Sequence, residues 1–239
     1  MRIKTRLLKY FLNTKYLIKY KTLDFFDYII IEINTSCNRR CVYCPNSIYD
    51  RGLIKNEKLM EKEVFYKIIK ELKEINFSGK IFPQSFGEPL LDKRLIPFIK
   101  YIKQELPKSK VYFITNGDYL TEEIRKELIN LKMVKIIVSP HDDITFKDRD
   151  FNNRGGLVEL DNTCYEPRCL LPDNPLTINY NGDVILCCND YLGAVKFGNL
   201  KENKLIEIWN SKKYKRLRKE LKNKEYNLTI CKKCVGEIK

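Results

Sequence analysis

Nine cysteines accompany a single histidine in the 239 residues, and they are unevenly placed. Three crowd into "CNRRCVYCPN", where Cys37, Cys41 and Cys44 are spaced Cys-x-x-x-Cys-x-x-Cys. Six more lie far downstream, the last two as "CKKC". Thiolates at such spacing ligate zinc or iron–sulfur clusters. Zinc takes four ligands in a tetrahedron, so the three-thiol loop would need Cys231 or Cys234 to complete it. A four-iron cluster held at three corners needs no fourth thiol. It leaves one iron open, as catalytic metal sites do, to a substrate or cofactor.

The loop must be carried by something rigid. The apolar run "YIIIEIN", residues 28–34, reads as a buried strand feeding it directly. Leu59, Val64, Ile68, Leu72 and Ile75 recur at helical spacing. "KIFPQS", 80–85, is a second strand, ending at "FGEP". Asp92 can cap a helix whose inner face is Leu95, Phe98, Ile99, Ile102 and Leu106. "KVYFITNG", 110–117, is strand and turn. Thr121 caps a further helix with Glu122 and Glu123 in its first turn, and 134–141 is a fourth strand. Apolar strands alternating with helices predict an α/β fold with a parallel sheet. In such folds the loops after strand C-termini form the active site. Here those loops hold the cysteines, Gly87–Pro89, Asn116–Gly117 and Ser139–His141.

The pattern breaks over 142–168. "LTINYNGDVILCC" then predicts a hairpin around Asn181–Gly182. An amphipathic helix follows, with Leu205, Ile208, Trp209, Leu217 and Leu221 inward, and the chain reaches "CKKC".

The three-cysteine spacing, with the glycine-containing loop after the second strand, resembles the signature of the radical S-adenosylmethionine (SAM) enzymes. The resemblance implies a partial (β/α)6 TIM-like barrel over 26–160. It implies a 4Fe-4S cluster on Cys37, Cys41 and Cys44 whose open iron is chelated by S-adenosylmethionine. Tyr43 and Phe86 would flank that cofactor. Gly87, Glu88 and Pro89 would meet its methionine end, with Asn116 and Ser139 near its ribose or carboxylate. For Asn116 and Ser139, plain strand-end turns are the equal alternative.

Cys169, Gly182 and Cys187, spaced by twelve and four residues, resemble the opening of the SPASM or twitch extension of that family. With Cys231 and Cys234 they imply a second 4Fe-4S cluster, closed by four thiolates, on a small C-terminal hairpin-and-helix domain over 161–239. A structural zinc ion is the alternative occupant. Cys164 and Cys188 are left over, either as small buried side chains or as donors of a hydrogen atom to a substrate radical. "NRGG" and "TNGDYLT" resemble twitch members that oxidise a secondary alcohol of a cyclitol. That implies a radical SAM oxidoreductase acting on a carbinol carbon of a sugar or cyclitol, free or carried on a nucleotide or lipid. Arg154, Cys188 and His141 are then the candidate catalytic residues. Arg154 would orient the hydroxyl, since a guanidinium is a poor base. The chain departs from those members at Asn189, an acid there, at Phe86, a tyrosine there, and at Cys188, an aromatic residue there. An epimerase with a cysteine hydrogen donor and a peptide-modifying enzyme are the competing readings within the family. A flavodoxin or ferredoxin is the implied electron donor.

Composition bounds the rest. Hydrophobic residues at 44% and aromatics at 12% predict a folded globule. No apolar run approaches the roughly 20 residues that span a bilayer. With no secretory signal evident, the expected compartment is the cytoplasm, where nine cysteines point to metal more than to disulfides. The net charge of +14 (45 Lys and Arg against 31 Asp and Glu) is mostly dispersed. A zinc-based nucleic-acid-binding module would explain the charge but not the "GEP" loop, so no nucleic acid is expected. Residues 1–25 form a basic amphipathic extension suited to a membrane surface or to capping the barrel.

Overall fold

The computed structural model describes residues 14, 17–18, 25–139, 151–159, 163–165, 169 and 175–238. The N-terminal extension therefore lies outside the described residues, apart from helical, exposed Thr14, Leu17 and Ile18, and so does His141. Strands β1 (Tyr28–Ile31), β2 (Lys80–Phe82), β3 (Lys110–Thr115) and β4 (Val134–Val138) run parallel and in order. Helices α1 (Lys62–Glu74), α2 (Leu95–Glu105) and α3 (Glu122–Ile129) connect them. Two short strands, β5 (Phe151–Asn152) and β6 (Thr163–Cys164), pair with each other. The hairpin follows as β7 (Pro175–Ile178) and β8 (Asp183–Ile185), then β9 (Lys196–Asn199). Helices α4 (Leu205–Asn210), α5 (Lys212–Lys222) and α6 (Thr229–Val235) close the chain. The main sheet has seven strands in the order β4-β3-β2-β1-β7-β8-β9. It is an open α/β sheet, the partial barrel expected.

The pattern predicts most of this correctly. Val64, Phe65, Ile68, Ile69 and Leu72 form the buried stripe of α1. Phe65 stacks on Phe98 of α2 at 3.9 Å between centroids. Each such side chain contributes roughly 1.5–3 kcal/mol by leaving water. Thr121 caps α3 by accepting the Ile124 N–H at 3.3 Å.

Four local expectations need correction. Leu59 precedes α1 and bridges to Asn34 instead. Asp92 does not cap α2; its carboxylate holds the Arg94 backbone N–H (2.9 Å) and guanidinium, and Arg94 is the residue that leads into the helix. The single C-terminal helix is two, because Ser211 is extended (ψ 146°) and its hydroxyl caps α5. Lastly, β7 serves more than its hairpin: it also pairs in parallel with β1, Tyr28 opposite Pro175 through Ile31 opposite Ile178.

Candidate active site

The loop after β1 is fastened from several sides. The Glu88 N–H donates to Ser36 O at 2.8 Å, and the Asn34 amide returns to Glu88 O at 3.0 Å. Gly87 is required by this approach, since a Cβ there would lie 2.5 Å from Asn34 O. The Asn116 amide donates to Asn38 Oδ1 at 2.8 Å. Asp118, two residues on, accepts from Asn38 at 2.6 Å and pairs with Arg39. The Glu88 carboxylate accepts from the Thr115 hydroxyl (2.7 Å) and the Leu90 and Asn116 N–H groups (3.1 and 2.9 Å). Its role is thus to shape the loop. Ser139 donates its N–H to Thr115 O at 2.9 Å.

These loops enclose a cavity of about 630 Å³. Cys37, Cys41 and Cys44 line it, with Tyr43 beside them. Phe86, Gly87, Glu88, Asn116 and Ser139 line another part, and Arg154 and Cys188 a third. The described residues therefore bring together the residues expected around the first three thiols, except Pro89, which does not line the cavity, and His141, which lies outside the described residues. The volume falls in the range of small-molecule sites.

A second cavity, of about 140 Å³, is lined by Cys169, Cys187, Cys231 and Cys234. Its remaining wall is largely apolar: Leu186, Leu221, Tyr226, Ile230 and Val235. A cavity of about this size can house a benzene-sized body. Cys188 lines both cavities and stands where they meet.

Sequence reasoning missed two features. The strands contribute Tyr28, Ile30 and Phe82 to the larger cavity, and the loop after β2 adds Gln84, a signal hidden because buried parallel strands show no clear alternation. More consequential are the two amides aimed at Cys234. Asn152 and Asn189 each place Nδ2 3.4 Å from its sulfur, and the Asn189 N–H lies 3.4 Å from Cys187 Sγ. Asn189 Oδ1 also faces the Arg154 guanidinium at 3.5 Å. Arg154 and the glycines of "NRGG" have φ of 52°, 68° and 84°. A Cβ on Gly155 would lie 2.5 Å from Ile230, and one on Gly156 2.3 Å from Lys233, so the turn needs glycine to rest on α6 beside the cysteines of "CKKC".

A second contact joins the two cysteine-bearing loops. The Tyr191 hydroxyl, shortly after Cys187–Cys188, donates to Asn46 Oδ1 at 2.8 Å, just after Cys44. Asn46 in turn donates to Phe86 O at 3.0 Å, and the Phe86 ring meets Tyr191 edge-on at 4.8 Å. Arg51 lies over the Tyr191 ring at 4.5 Å and pairs with buried Glu32.

Burial pushes four of the thiols up: Cys37, Cys44, Cys187 and Cys231. For Cys44 a backbone hydrogen bond from Asn46 and the Arg154 charge oppose that rise. Cys37 is raised by burial against a backbone hydrogen bond from Arg39. Cys187 is raised well above the ordinary value by burial and by Cys188, and Cys231 reaches about 12 through burial and its neighbours Cys169 and Cys234. Such thiols suit metal, since ligation stabilises the thiolate that burial alone disfavours. Among the described residues no three His, Cys, Asp or Glu side chains converge on a point as ligands of a single ion do. The thiols stand instead around the walls of two cavities.

A sequence profile of the radical SAM superfamily matches residues 31–156, and one of the SPASM iron–sulfur cluster-binding domain matches 169–235. The chain belongs to the radical SAM superfamily. It is an enzyme of that family, with S-adenosylmethionine and a 4Fe-4S cluster as cofactors and further iron–sulfur in the SPASM region. The zinc-based nucleic-acid module is thereby set aside. The S-adenosyl-L-methionine-dependent 2-deoxy-scyllo-inosamine dehydrogenase of Niallia circulans is 30% identical over 87% of this chain and 92% of its own. The crystal structure of BtrN in complex with AdoMet and 2-DOIA superposes with a TM-score of 0.76, at 29% identity over 87% of this chain and 92% of that one. The GTP 3′,8-cyclase of Clostridium perfringens strain 13 is 27% identical over 79% of this chain and 58% of its own. Streptococcus suis SuiB bound to its precursor peptide SuiA shares the fold at a TM-score of 0.62 and 14% identity, over 86% of this chain and 70% of that one. Among the described residues no helix is long and apolar enough to cross a membrane.

Proposed function

We propose that this radical SAM enzyme is a dehydrogenase that oxidises a carbinol carbon of a cyclitol or sugar. The observation that carries the reading is the division of seven cysteines between two cavities that meet at Cys188. Cys37, Cys41 and Cys44 would hold the cluster that binds S-adenosylmethionine. Cys169, Cys187, Cys231 and Cys234 would hold a closed cluster suited to accepting an electron. When bound, S-adenosylmethionine supplies abstraction of one hydrogen atom from carbon, leaving methionine and 5′-deoxyadenosine. The protein's part is to place that carbon and exclude water. Tyr43 and Phe86 flank the cofactor space, and Gly87 and Glu88 close one end of it. Arg154 hydrogen-bonds the substrate hydroxyl and fixes its orientation. Its guanidinium is already steered toward Asn189 and bears on Cys44. The similarity to a cyclitol dehydrogenase over nearly all of both chains supports the substrate class.

Cys188 favours one second reading. A thiol on the wall of the larger cavity can return a hydrogen atom to the substrate radical, which would make the enzyme an epimerase. Turnover in deuterium oxide separates the two across a panel of cyclitols, aminocyclitols and nucleotide-linked sugars. A ketone two mass units lighter than its substrate, formed with 5′-deoxyadenosine and insensitive to Cys188→Ala, is the expected result. Deuterium fixed at one carbon of a redox-neutral product, and lost in Cys188→Ala, would reject dehydrogenation.

A further inference from the structure

Helix α5 is a wall between the four-thiol cavity and solvent. Leu221 lines that cavity, and Leu217 belongs to the same apolar cluster as Cys187 and Cys231. A groove of about 540 Å³ runs along the outer side of the helix. Its floor is Val195, Phe197, Leu217 and Leu228, and its rim carries Lys212, Lys213 and Arg216. Leu217 is thus shared by the groove and the cluster of side chains around Cys187 and Cys231. One layer of side chains separates them. The acid on this face, Glu220, is paired with Arg216 at 2.7 Å. Lys215, Lys219 and Lys222 extend the positive face, all exposed. Positive charge is dense here, on an apolar groove beside the buried thiols.

The chemistry proposed above requires an exit for charge. The carbinol carbon loses one hydrogen atom to the nucleoside. Forming the C=O bond from the remaining radical releases one proton and one electron. Solvent takes the proton, whereas the electron needs a carrier. We propose that α5 and its groove dock a small acidic one-electron carrier protein. The carrier takes a single electron from the cluster on Cys169, Cys187, Cys231 and Cys234, which is oxidised as the carrier is reduced, with no bond made or broken. This rests on the ligand assignment of the preceding section. Redox encounters use small interfaces steered by opposite charge, and an apolar floor with a cationic rim suits one.

The test uses the anaerobically reconstituted enzyme and an acidic flavodoxin as probe. Binding is measured by calorimetry without substrate. Reoxidation of the dithionite-reduced cluster by oxidised flavodoxin is followed by stopped flow in Cys37→Ala/Cys41→Ala/Cys44→Ala protein. Lys212→Glu/Lys213→Glu/Arg216→Glu should weaken binding and slow reoxidation by about tenfold or more at low salt, because steering charge is lost. Salt should erase the difference. Iron content and dithionite-driven S-adenosylmethionine cleavage should be unchanged, and Lys126→Glu/Lys132→Glu, on the far side, should behave as wild type. Equal binding by the α5 variant would overturn the proposal, as would equal loss in both variants, which would mean that net charge alone acts. If binding follows α5 but no cyclitol or sugar is oxidised, the proposed reaction fails and the surface stands. If a ketone forms and binding ignores α5, the surface fails and the reaction stands.

Discussion

Asn189→Asp restores an acid where the cyclitol-oxidising twitch members carry one, and its clearest effect should be on redox potential. The Asn189 amide stands 3.4 Å from Cys234 Sγ and shares that sulfur with Asn152. Reduction adds negative charge to a thiolate-held cluster, so a donor at its sulfur favours the reduced form. A hydrogen bond to a charged acceptor contributes about 1.5–3 kcal/mol. If half of ~2 kcal/mol is gained only on reduction, its loss in Asn189→Ala lowers the potential by ~40 mV, at 59 mV per tenfold for one electron. Aspartate adds repulsion. At an illustrative separation of ~6 Å and an effective dielectric constant of ~20, one added negative charge contributes about 3 kcal/mol of repulsion, or ~120 mV. Asn189→Asp should therefore lie ~160 mV below wild type, and Asn189→Ala between them. The assay is a redox titration of the four-thiol cluster by electron paramagnetic resonance at pH 8.5, in protein lacking Cys37, Cys41 and Cys44. An unchanged or raised potential in Asn189→Asp would refute the reasoning, because it would mean that the amide does not address the cluster.

Replacing Cys37, Cys41 and Cys44 with Ala should remove about half of roughly eight irons per chain and all S-adenosylmethionine cleavage. Iron analysis should show the other half lost from the Cys169, Cys187, Cys231 and Cys234 variants but retained in Cys188→Ala. In metal-free protein, the buried thiols make stability depend on alkaline pH. Cys187 lies well above, and Cys231 at about 12 against, an ordinary 9.0, so the folded state keeps protons that the unfolded chain releases first. Their contribution is full below about pH 9 and lost as pH rises toward about 12. Thermal unfolding of the metal-free chain should weaken over that window more steeply than in Cys187→Ala/Cys231→Ala protein; equal slopes would rule out these thiols as the cause.

The parallel half of the fold was legible because each strand is one apolar run and each helix one stripe, as in "YIIIEIN" and α1. The first three thiols were legible because their spacing is local. What failed was mostly non-local, with the helix starts at Arg94 and Ser211 as local exceptions. Nothing between 175 and 178 distinguishes a strand paired on one side from one paired on both, so the partnership of β7 with β1 was hidden. Ser211 reads as an ordinary helical residue until its hydroxyl takes the Tyr214 N–H. Asn189 looked like a lost substrate anchor; its amide in fact turns to Cys234, a residue 45 positions away. Cys188 looked spare, and its place between the cavities depends on the hairpin meeting β1.

The pairing of β7 with β1 also bears on how such a chain can be taken apart. The two family profiles leave a gap between 156 and 169, a natural place to cut or to exchange a C-terminal region. The hydrogen-bond ladder ignores that gap, running from β2 through β1 to β7. Removing everything after 156 would strip one side of Tyr28–Ile31. A buried interior strand would become an open, apolar edge with unpaired backbone groups, the template from which edge-to-edge aggregation grows. A transferable C-terminal cassette must therefore include Pro175–Ile178 as well as the cysteines, since that strand covers the edge of β1.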